Sequence, residues 1–573
     1  MGDLRFTSKG LSYEVDISSQ RTMVPVYDFP QKTSPCRVGC PAGHDIAWAL
    51  YLVRQGEFGA ALALFREESP FPSITGRVCY YPCEAVCNRG EHDEALAINM
   101  LERALADHGT IPAPRPLASH AEHIAVVGSG PAGLTAAYHL AWLGYRVTVY
   151  EKEQEIGGVL RYGIPDYRLP RQVVRDVEAM LRGMGVAFRT GAAVGPELPF
   201  KTLLAEHDAL FLGVGLSEAR ALTLKGIEAV SSMPGIEFLY RAKEGRVRSI
   251  EGHVLVIGAG DVALDVARSA KRLGADKVSI YYRVHLRAHP EELREAARER
   301  ISIDGGWEPV RLAPQKDGGV VVRMQGVDHL VEGRAVHNER QTEVRCDHII
   351  YAVGQRANAS FLPPELLSNG GLAVNALGQT AHPKVFAGGD ITGSYNVVEA
   401  IGGAKRAVIG IDSLLRGRDG AALLARVSLG ESRPGESPPV SLRSYRQLLG
   451  GEAAPLVRQS VPYAAINADY FPPQERVGRP HLGLDERRGL CDEVNLEVPR
   501  EVAIREASRC FHCGECTVCG NCFIYCPDSA VLQGEDGFFS INGMQCKGCG
   551  QCVAECPRSA MSMVPEGDAV AVA

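Results

Sequence analysis

Apolar positions change their spacing several times along the 573 residues, and each change marks a boundary. Ile46, Leu50 and Val53, then Ala60, Leu64 and Phe65, recur at the interval of one helix face, so residues 42–110 read as helices. The stretch IPAPRPLASH (111–120) breaks that pattern and reads as a Pro-rich linker. From His123 to about Arg416, short apolar runs alternate with helical patterns, which predicts parallel sheets. Residues 417–500 are richer in Pro, Gly, Ser and Arg, keep no strong period, and read as an extended connector wrapping the surface. Residues 1–30 read as an extended arm. Residues 501–565 form a last compact unit with an internal repeat, CTVCGNCFIYCPDSAV against CKGCGQCVAECPRSAM.

Two of the apolar runs end in glycine-rich turns. Strand Ile124–Val127 enters Gly128-Ser129-Gly130-Pro131-Ala132-Gly133 and then a helix. Gly128 makes the tight turn, Gly130 lets backbone approach a pyrophosphate, and Gly133 lets helix and strand pack closely. The helix N-terminus offers free N–H groups to phosphate. Glu151 ends the next strand, Arg146–Tyr150, where it can accept hydrogen bonds from ribose hydroxyls. A second fingerprint, Gly258-Ala259-Gly260-Asp261-Val262-Ala263, has Ala in the third slot, which the motif allows. Its second strand, Val278–Tyr282, ends in Arg283, which suits a 2′-phosphate and favours NADP over NAD; Arg287 and His285 are candidates for the same pocket. Two such folds imply hydride transfer between nicotinamide and flavin. The first is assigned to FAD because its sequence resumes later: His348–Val353 runs into Gly354-Gln355, and VFAGGDI (385–391) places Gly388, Gly389 and Asp390 at a strand end. Asp390 is placed to bond flavin ribityl or pyrophosphate-linked oxygens. A helix from about Val398 would aim its N-terminus at the flavin pyrimidine. The nicotinamide fold is therefore expected as an insertion within the FAD fold.

Cysteine placement adds a third chemistry. Of the 17 cysteines, five lie within Cys36–Cys87 and ten within Cys510–Cys556; only Cys346 and Cys491 stand apart. Cys516, Cys519, Cys522 and Cys526-Pro527 match the bacterial [4Fe–4S] run, and Cys546, Cys549, Cys552 and Cys556-Pro557 repeat it. Zinc competes for isolated cysteine pairs but not for this doubled spacing. Because the fourth cysteine of such a run serves the other cluster, one set is Cys516, Cys519, Cys522 and Cys556, and the other Cys546, Cys549, Cys552 and Cys526. Cys510 and Cys513 are left over.

Composition limits the remaining options. A net charge of -7 lacks the basic excess of a nucleic-acid surface. No run of about 18 apolar residues appears, so no membrane span is expected, and the charged N-terminus does not read as a secretory signal. A cytoplasmic protein is expected, with cysteines that hold metal rather than disulfides.

GGVLRYGIPDYRLP (157–170), AGDVALD (259–265), VFAGGDI (385–391) and TGRVCYYPCEAVC (75–87) closely resemble the small subunit of glutamate synthase and the matching domains of dihydropyrimidine dehydrogenase. The similarity covers about residues 30–415, and the C-terminal module adds a match to the latter. The resemblance implies that Gly157, Gly158, Gly163 and Pro165 line the FAD. It implies two [4Fe–4S] clusters in the N-terminal helices, one held by Cys40, Cys79, Cys83 and Glu102. Cys36 and Cys87 are half of the second, whose usual leading C-x2-C is missing here. That piece reads EAxRCLxCxxxxC in the family, and EASRCFHCGEC stands at 506–516. Cys510 and Cys513 are therefore expected to complete the second set from the far end of the chain, making four clusters. The family tends to have a second Arg after Arg283; here it is Val284, which leaves NADH open.

The expected fold class is multidomain α/β. It comprises an arm and helical [4Fe–4S] domain (1–115), an FAD-binding Rossmann-like domain (116–245 and 348–416) with an inserted NAD(P)-binding Rossmann-like domain (246–347), a connector (417–500) and a bacterial-ferredoxin-like α+β module (501–573). Electrons would pass between NAD(P)H, FAD and the clusters. No Cys-x2-Cys pair accompanies the FAD fold, which speaks against disulfide reduction, and His285, His289 and His512 read as ordinary polar or packing residues. No stretch remains for a substrate barrel, so substrate chemistry is expected on another polypeptide in a hetero-oligomer. The leading partner is the catalytic subunit of a 2-oxoacid:acceptor oxidoreductase. Alternatives are a free-standing NAD(P)H:ferredoxin oxidoreductase, a glutamate synthase small subunit, and a cofactor-binding scaffold without turnover.

Overall fold

Two apolar strands leading into glycine turns nucleate two copies of one design. In the computed structural model, which describes residues 4–7, 10–13 and 21–566 apart from 369–370, 431–436, 453–458, 488 and 490, each fingerprint stands at the end of the central strand of a parallel five-stranded sheet. The first sheet runs Val385–Ala387, Ala209–Leu212, His123–Val127, Arg146–Tyr150, Ala187–Arg189. The second runs Ser232–Pro234, His348–Ala352, His253–Gly258, Lys277–Tyr282, Ser302–Gly305. Their central strands are buried from Ile124 to Val127 and from Val254 to Ile257, as parallel strands covered on two faces must be. Because Val385–Ala387 pairs with Ala209–Leu212, the whole second sheet lies between two strands of the first in sequence. Of the N-terminal arm, residues 1–3, 8–9 and 14–20 lie outside the described residues.

Four expectations change. His348–Ala352 pairs with His253–Gly258 and so belongs to the second sheet, not to a resumed first fold beginning at residue 348. An apolar strand followed by Gly reads alike in either sheet, and only its pairing partner decides. The second unit also starts earlier than 246, because Ser232–Pro234 pairs with Ile349–Tyr351. Inside it, Trp307–Pro314, Val320–Val331 and Arg334–Cys346 form an antiparallel sheet where only parallel ones were expected. The connector is not wholly extended: Gly420–Val427 and Leu442–Leu449 are helices, capped by Asp419 and Ser441.

The N-terminal helices Ile46–Arg54, Phe58–Arg66, Pro72–Val78 and Ile98–His108 have no core of their own. Leu50, Phe65, Ile74 and Leu101 pack into one continuous cluster with helix Pro131–Leu143 and helix Val397–Arg416. Each such side chain contributes about 1.5–3 kcal/mol on burial. Lys405 on the last helix is fully buried and pairs with Glu68 at 2.6 Å, and Glu68 also accepts from Ser441 and from the Leu442 amide at 2.6 and 2.8 Å. One carboxylate thus ties the N-terminal helices, the flanking helix of the first sheet and the connector.

The last unit is not self-contained. Its hairpin, Val531–Gln533 with Phe539–Ile541, is local, but its final strand Ser562–Pro565 pairs antiparallel with Met23–Val26 of the arm. Among the described residues no helix is long and apolar enough to cross a membrane.

Candidate functional site

Open parallel sheets bind ligands at the carboxyl ends of their strands, where the strand order reverses. That point lies between His123–Val127 and Ala209–Leu212 in the first sheet and between His253–Gly258 and His348–Ala352 in the second. Both points open into the same cavity of about 1580 Å³, larger than the several hundred Å³ of a single small-ligand pocket. Gly128, Gly130, Pro131, Ala132, Glu151, Gly213 and Val214 line it from the first sheet, and Gly260, Asp261, Val262, Arg287 and Ala352 from the second.

The first glycine turn is shaped for a guest. A Cβ at Gly133 would stand 1.9 Å from the Gly128 carbonyl oxygen, so the helix can close on the strand only there without a side chain. A Cβ at Gly130 would meet nothing nearer than 4.0 Å; the room is left for something other than protein. Glu151 accepts from the Ser129 amide at 2.9 Å and from the Glu153 amide at 3.0 Å, and its carboxylate borders the cavity. Gly158, Gly163, Gly354, Gly389 and Asp390 also line it. Burial, with Glu399 nearby, pushes Asp390 up to about 6. Asn396 accepts from the Glu399 amide at 2.9 Å and caps helix Val397–Arg416, whose first residues border the same space.

Other expected residues stand back. Gly133, Gly157, Pro165 and Gly258 are not among the lining residues. Arg283 points away, half exposed, 3.6 Å from Glu308. The sequence reading missed Arg168, which lines the cavity and whose Nη1 donates to both Asp265 oxygens at 2.7 and 2.8 Å, with Nε 3.1 Å from Glu292. It missed Asp265 and Tyr80 as well. All three lie inside the quoted motifs, which was the available signal. His289 caps helix Pro290–Arg298 and stacks on Tyr80 at 4.9 Å.

Beside the large cavity lies a small one, lined by Cys40, Cys79, Cys83 and Glu102, with His44 and Thr75. Val78 and Tyr80 face the large cavity while Cys79 between them faces the small one. Burial pushes Cys40, Cys79 and Cys83 up, and the Glu102 charge adds to it at Cys40 and Cys79. Burial holds Glu102 near 8, against the Thr75 hydroxyl that donates to it.

Cys510 and Cys513 are brought to Cys36 and Cys87. Helix Arg500–Ala507 packs on helices Ile46–Arg54 and Ile98–His108, and buried Glu506 accepts from the amides of Ala97 and Val477 at 2.9 and 3.0 Å. His512, buried and pushed down to about 3, shares a hydrogen bond with the Ala47 carbonyl at 3.0 Å. Asn88 donates to Cys513 Sγ at 3.4 Å. Burial raises all four thiols; beyond that, Cys87 and Cys510 act on Cys36, and Cys36 and Cys87 on Cys513. Burial outweighs the nearby cations, Lys405 at Cys40 and Arg558 at Cys510, and these seven buried or half-buried thiols and one carboxyl suit a cationic iron core, whose charge inverts that cost.

In the last unit, Cys526, Cys546, Cys549 and Cys552 line one small cavity. Burial raises Cys516, and the neighbouring Cys522, Cys556 and Cys519 add to it.

Comparison with known proteins agrees with these features. The pyridine nucleotide-disulphide oxidoreductase family profile matches residues 122–408, and that of dihydropyrimidine dehydrogenase domain II, 4Fe–4S cluster, matches 30–111. The β subunit of the NADP(+)-dependent formate dehydrogenase of Moorella thermoacetica is 34% identical over 68% of this chain, which spans 60% of that relative's length. The β subunit of the NADPH-Fe(3+) oxidoreductase of Geobacter sulfurreducens is 30% identical over 87% of this chain and 78% of its own. PreT, the NAD-dependent dihydropyrimidine dehydrogenase subunit of Escherichia coli K12, is 34% identical over 67% of this chain and 92% of its own. Despite the family's name, residues 122–408 hold a single cysteine, Cys346, too few for a redox disulfide. The chain belongs to the pyridine nucleotide-disulphide oxidoreductase family, as an NAD(P)H-dependent flavin and iron–sulfur member that carries a 4Fe–4S domain of the dihydropyrimidine dehydrogenase type ahead of its paired folds.

Proposed function

We propose that this chain is the relay subunit of a larger oxidoreductase, carrying electrons between NAD(P)H and a partner that holds the substrate. One juxtaposition carries this function: both sheet crevices share one cavity, and the segment Val78–Tyr80 borders both it and a pocket of three thiols. The first sheet holds FAD and the second NAD(P)H, whose chemistry is hydride exchange on one side and single-electron release on the other. Gly128, Gly130 and the helix behind them seat the flavin pyrophosphate, Glu151 the ribose, and helix Val397–Arg416 presents its N-terminal amides to the ring. Gly260, Asp261 and Val262 seat the nicotinamide dinucleotide. Arg287, rather than Arg283, supplies the cavity's positive charge for a 2′-phosphate, so NADPH is the proposed donor.

Four [4Fe–4S] sites follow in a fixed order. The first uses Cys40, Cys79, Cys83 and Glu102; the second Cys36, Cys87, Cys510 and Cys513. The third uses Cys516, Cys519, Cys522 and Cys556; the fourth Cys526, Cys546, Cys549 and Cys552. Each neighbouring pair of sites shares short spans of chain: Cys36 to Cys40 and Cys83 to Cys87, then Cys513 to Cys516, then Cys522 to Cys526 and Cys552 to Cys556. Three or four residues reach at most roughly 10–14 Å, so adjacent sites cannot drift apart. Cys519 and Cys549 are exposed, which makes the last unit the terminal for an outside partner. The relatives named above belong to a formate dehydrogenase, an Fe(3+) reductase and a dihydropyrimidine dehydrogenase. Their substrates differ while the relay recurs, so substrate identity rests with the partner.

Anaerobically reconstituted protein should hold about 16 irons per chain. NADPH should bleach its flavin and then bring up reduced-cluster signals in electron paramagnetic resonance. Flavin bleaching with iron centres that never take up an electron would overturn the relay. Arg287→Ala should raise KM for NADPH at least tenfold and leave that for NADH unchanged; equal effects on both would remove the 2′-phosphate assignment.

A further inference from the structure

We infer that the Tyr27 hydroxyl raises the reduction potential of the third cluster site, a lever that its twin, the fourth, lacks among the described residues, an inference that rests on the relay reading above. Tyr27 lies in the N-terminal arm, 489 positions before Cys516 by the printed numbering, and no cluster motif includes it. Its Oη donates to Cys522 Sγ at 3.2 Å.

The two halves of the module are otherwise matched in their donors to sulfur. The Ala530 amide donates to Cys526 Sγ at 3.2 Å, and its counterpart Ala560 to Cys556 Sγ at 3.3 Å. The Val518 amide serves Cys516 and the Gly548 amide serves Cys546. The Phe523 amide serves Cys522 and the Val553 amide serves Cys552. Among the described residues, Cys522 alone of the module's thiols receives a side-chain hydroxyl in addition, and no side-chain donor reaches Cys552, its counterpart in the repeat.

The arm holds Tyr27 in place from both sides. Met23–Val26 pairs residue by residue with Ser562–Pro565. Beyond it, buried Lys32 donates to the Ser559 carbonyl at 2.9 Å and to Ser562 Oγ at 2.7 Å while pairing with Asp28 at 2.9 Å. Arg21 donates to the Cys546 carbonyl at 2.7 Å and pairs with Glu566 at 2.7 Å. The hydroxyl is therefore fixed at the sulfur.

A cluster that gains one electron gains one negative charge, spread onto its sulfurs; no proton moves and no bond forms or breaks. A donated hydrogen bond stabilises that extra charge more than the oxidised state, and hydrogen bonds to sulfur are among the levers that set cluster potentials. Tyr27 thus biases an electron within the module toward the site adjoining Cys513 and away from the exposed end.

The test is a redox titration of the full, reconstituted chain followed by electron paramagnetic resonance, for wild type and Tyr27→Phe. Phe keeps the ring and removes only the donor. The expected result is one midpoint displaced to more negative potential, changing that site's reduced-to-oxidised ratio up to about tenfold at fixed poise, which is 59 mV for a one-electron couple. The other three midpoints and the iron content should not move. In wild type, an exchangeable proton coupled to that same cluster should be visible by electron–nuclear double resonance and absent in Tyr27→Phe. Four unmoved midpoints overturn the inference, and so does loss of one cluster's iron in Tyr27→Phe, which would make the role structural. Wild-type protein with no cluster signal from the module at all would instead overturn the relay reading beneath it.

Discussion

The two proposed iron–sulfur ends of this molecule are built on opposite plans. The C-terminal pair of sites is nearly local: eight cysteines fall within Cys516–Cys556, in a repeated spacing, with Cys519 and Cys549 at the surface. The inner pair draws on residues 36–102 and then on Cys510 and Cys513, and all its thiols but Cys513 sit in or against the same continuous core as the first sheet's helices. A local repeat assembles wherever the chain puts it, so it suits a terminal that an outside carrier must reach. A non-local site exists only when distant segments are already packed, so it suits a position beside the dinucleotide cavity, where a fixed distance to a buried partner matters. The difference teaches that stability and wiring are coupled at one end and separable at the other.

That contrast can be broken at its strongest point by mutating matched pairs. Cys510→Ser with Cys513→Ser should remove about four irons, and because these cysteines directly follow helix Arg500–Ala507, which packs against the N-terminal helices, thermal stability and flavin retention should fall with them. Cys546→Ser with Cys549→Ser should also remove about four irons but leave flavin content and NADPH-driven flavin bleaching intact. Equal loss of flavin in both would erase the distinction.

Next in size is the ion pair beneath the inner sites. Lys405→Met leaves Glu68 buried without its cation and should cost about 3–5 kcal/mol, read from denaturant unfolding. Lys547→Met, removing a surface partner of Asp528 in the outer module, should leave the unfolding midpoint in place.

Acid should separate the ends further. His139 is fully buried, and its Nε2 shares a hydrogen bond with the Glu68 carbonyl at 3.2 Å. Burial, followed by Arg446 and Lys405, holds its pKa well below the ordinary 6.5. A histidine lowered on folding stabilises fully above its unfolded pKa and loses that contribution as pH falls below about 6.5, at about 1.4 kcal/mol per pH unit. The outer module, Cys516–Glu566, contains no histidine. Hydrogen exchange between pH 6.5 and 4.5 should therefore open the region around His139 first, and His139→Gln should flatten that dependence. The smallest effect is at the cap of the helix that carries Lys405: Asn396→Ala should destabilise by about 1 kcal/mol, visible as a small drop in melting temperature without loss of iron.

Much of the candidate site was legible because its chemistry is local. Gly128 to Gly133 and Gly258 to Ala263 announce strand-to-helix turns from spacing alone, and the doubled run ending in Cys526-Pro527 and Cys556-Pro557 announces a repeated unit. Arg283 misled because a basic residue after the second strand says nothing about which way its side chain leaves; here Glu308 holds it off the cavity. Strand His348–Ala352 misled for a similar reason, since two equivalent sheets compete for any apolar strand. Arg168 and Tyr80 went unseen as cavity residues because only folding brings the segment Gly157–Pro170 and the loop after Val78 against the second fingerprint.

By itself, the order of residues determined the glycine turns, the spacing of the outer cysteines and the helical period of the first hundred positions, since each depends on contacts within a few residues. Tertiary structure alone decided that both crevices open into one space, that Ser562–Pro565 is completed by Met23–Val26, and that Tyr27 reaches Cys522. Those depend on pairing between segments hundreds of residues apart, where no local preference distinguishes one partner from another and the burial of the whole core makes the choice.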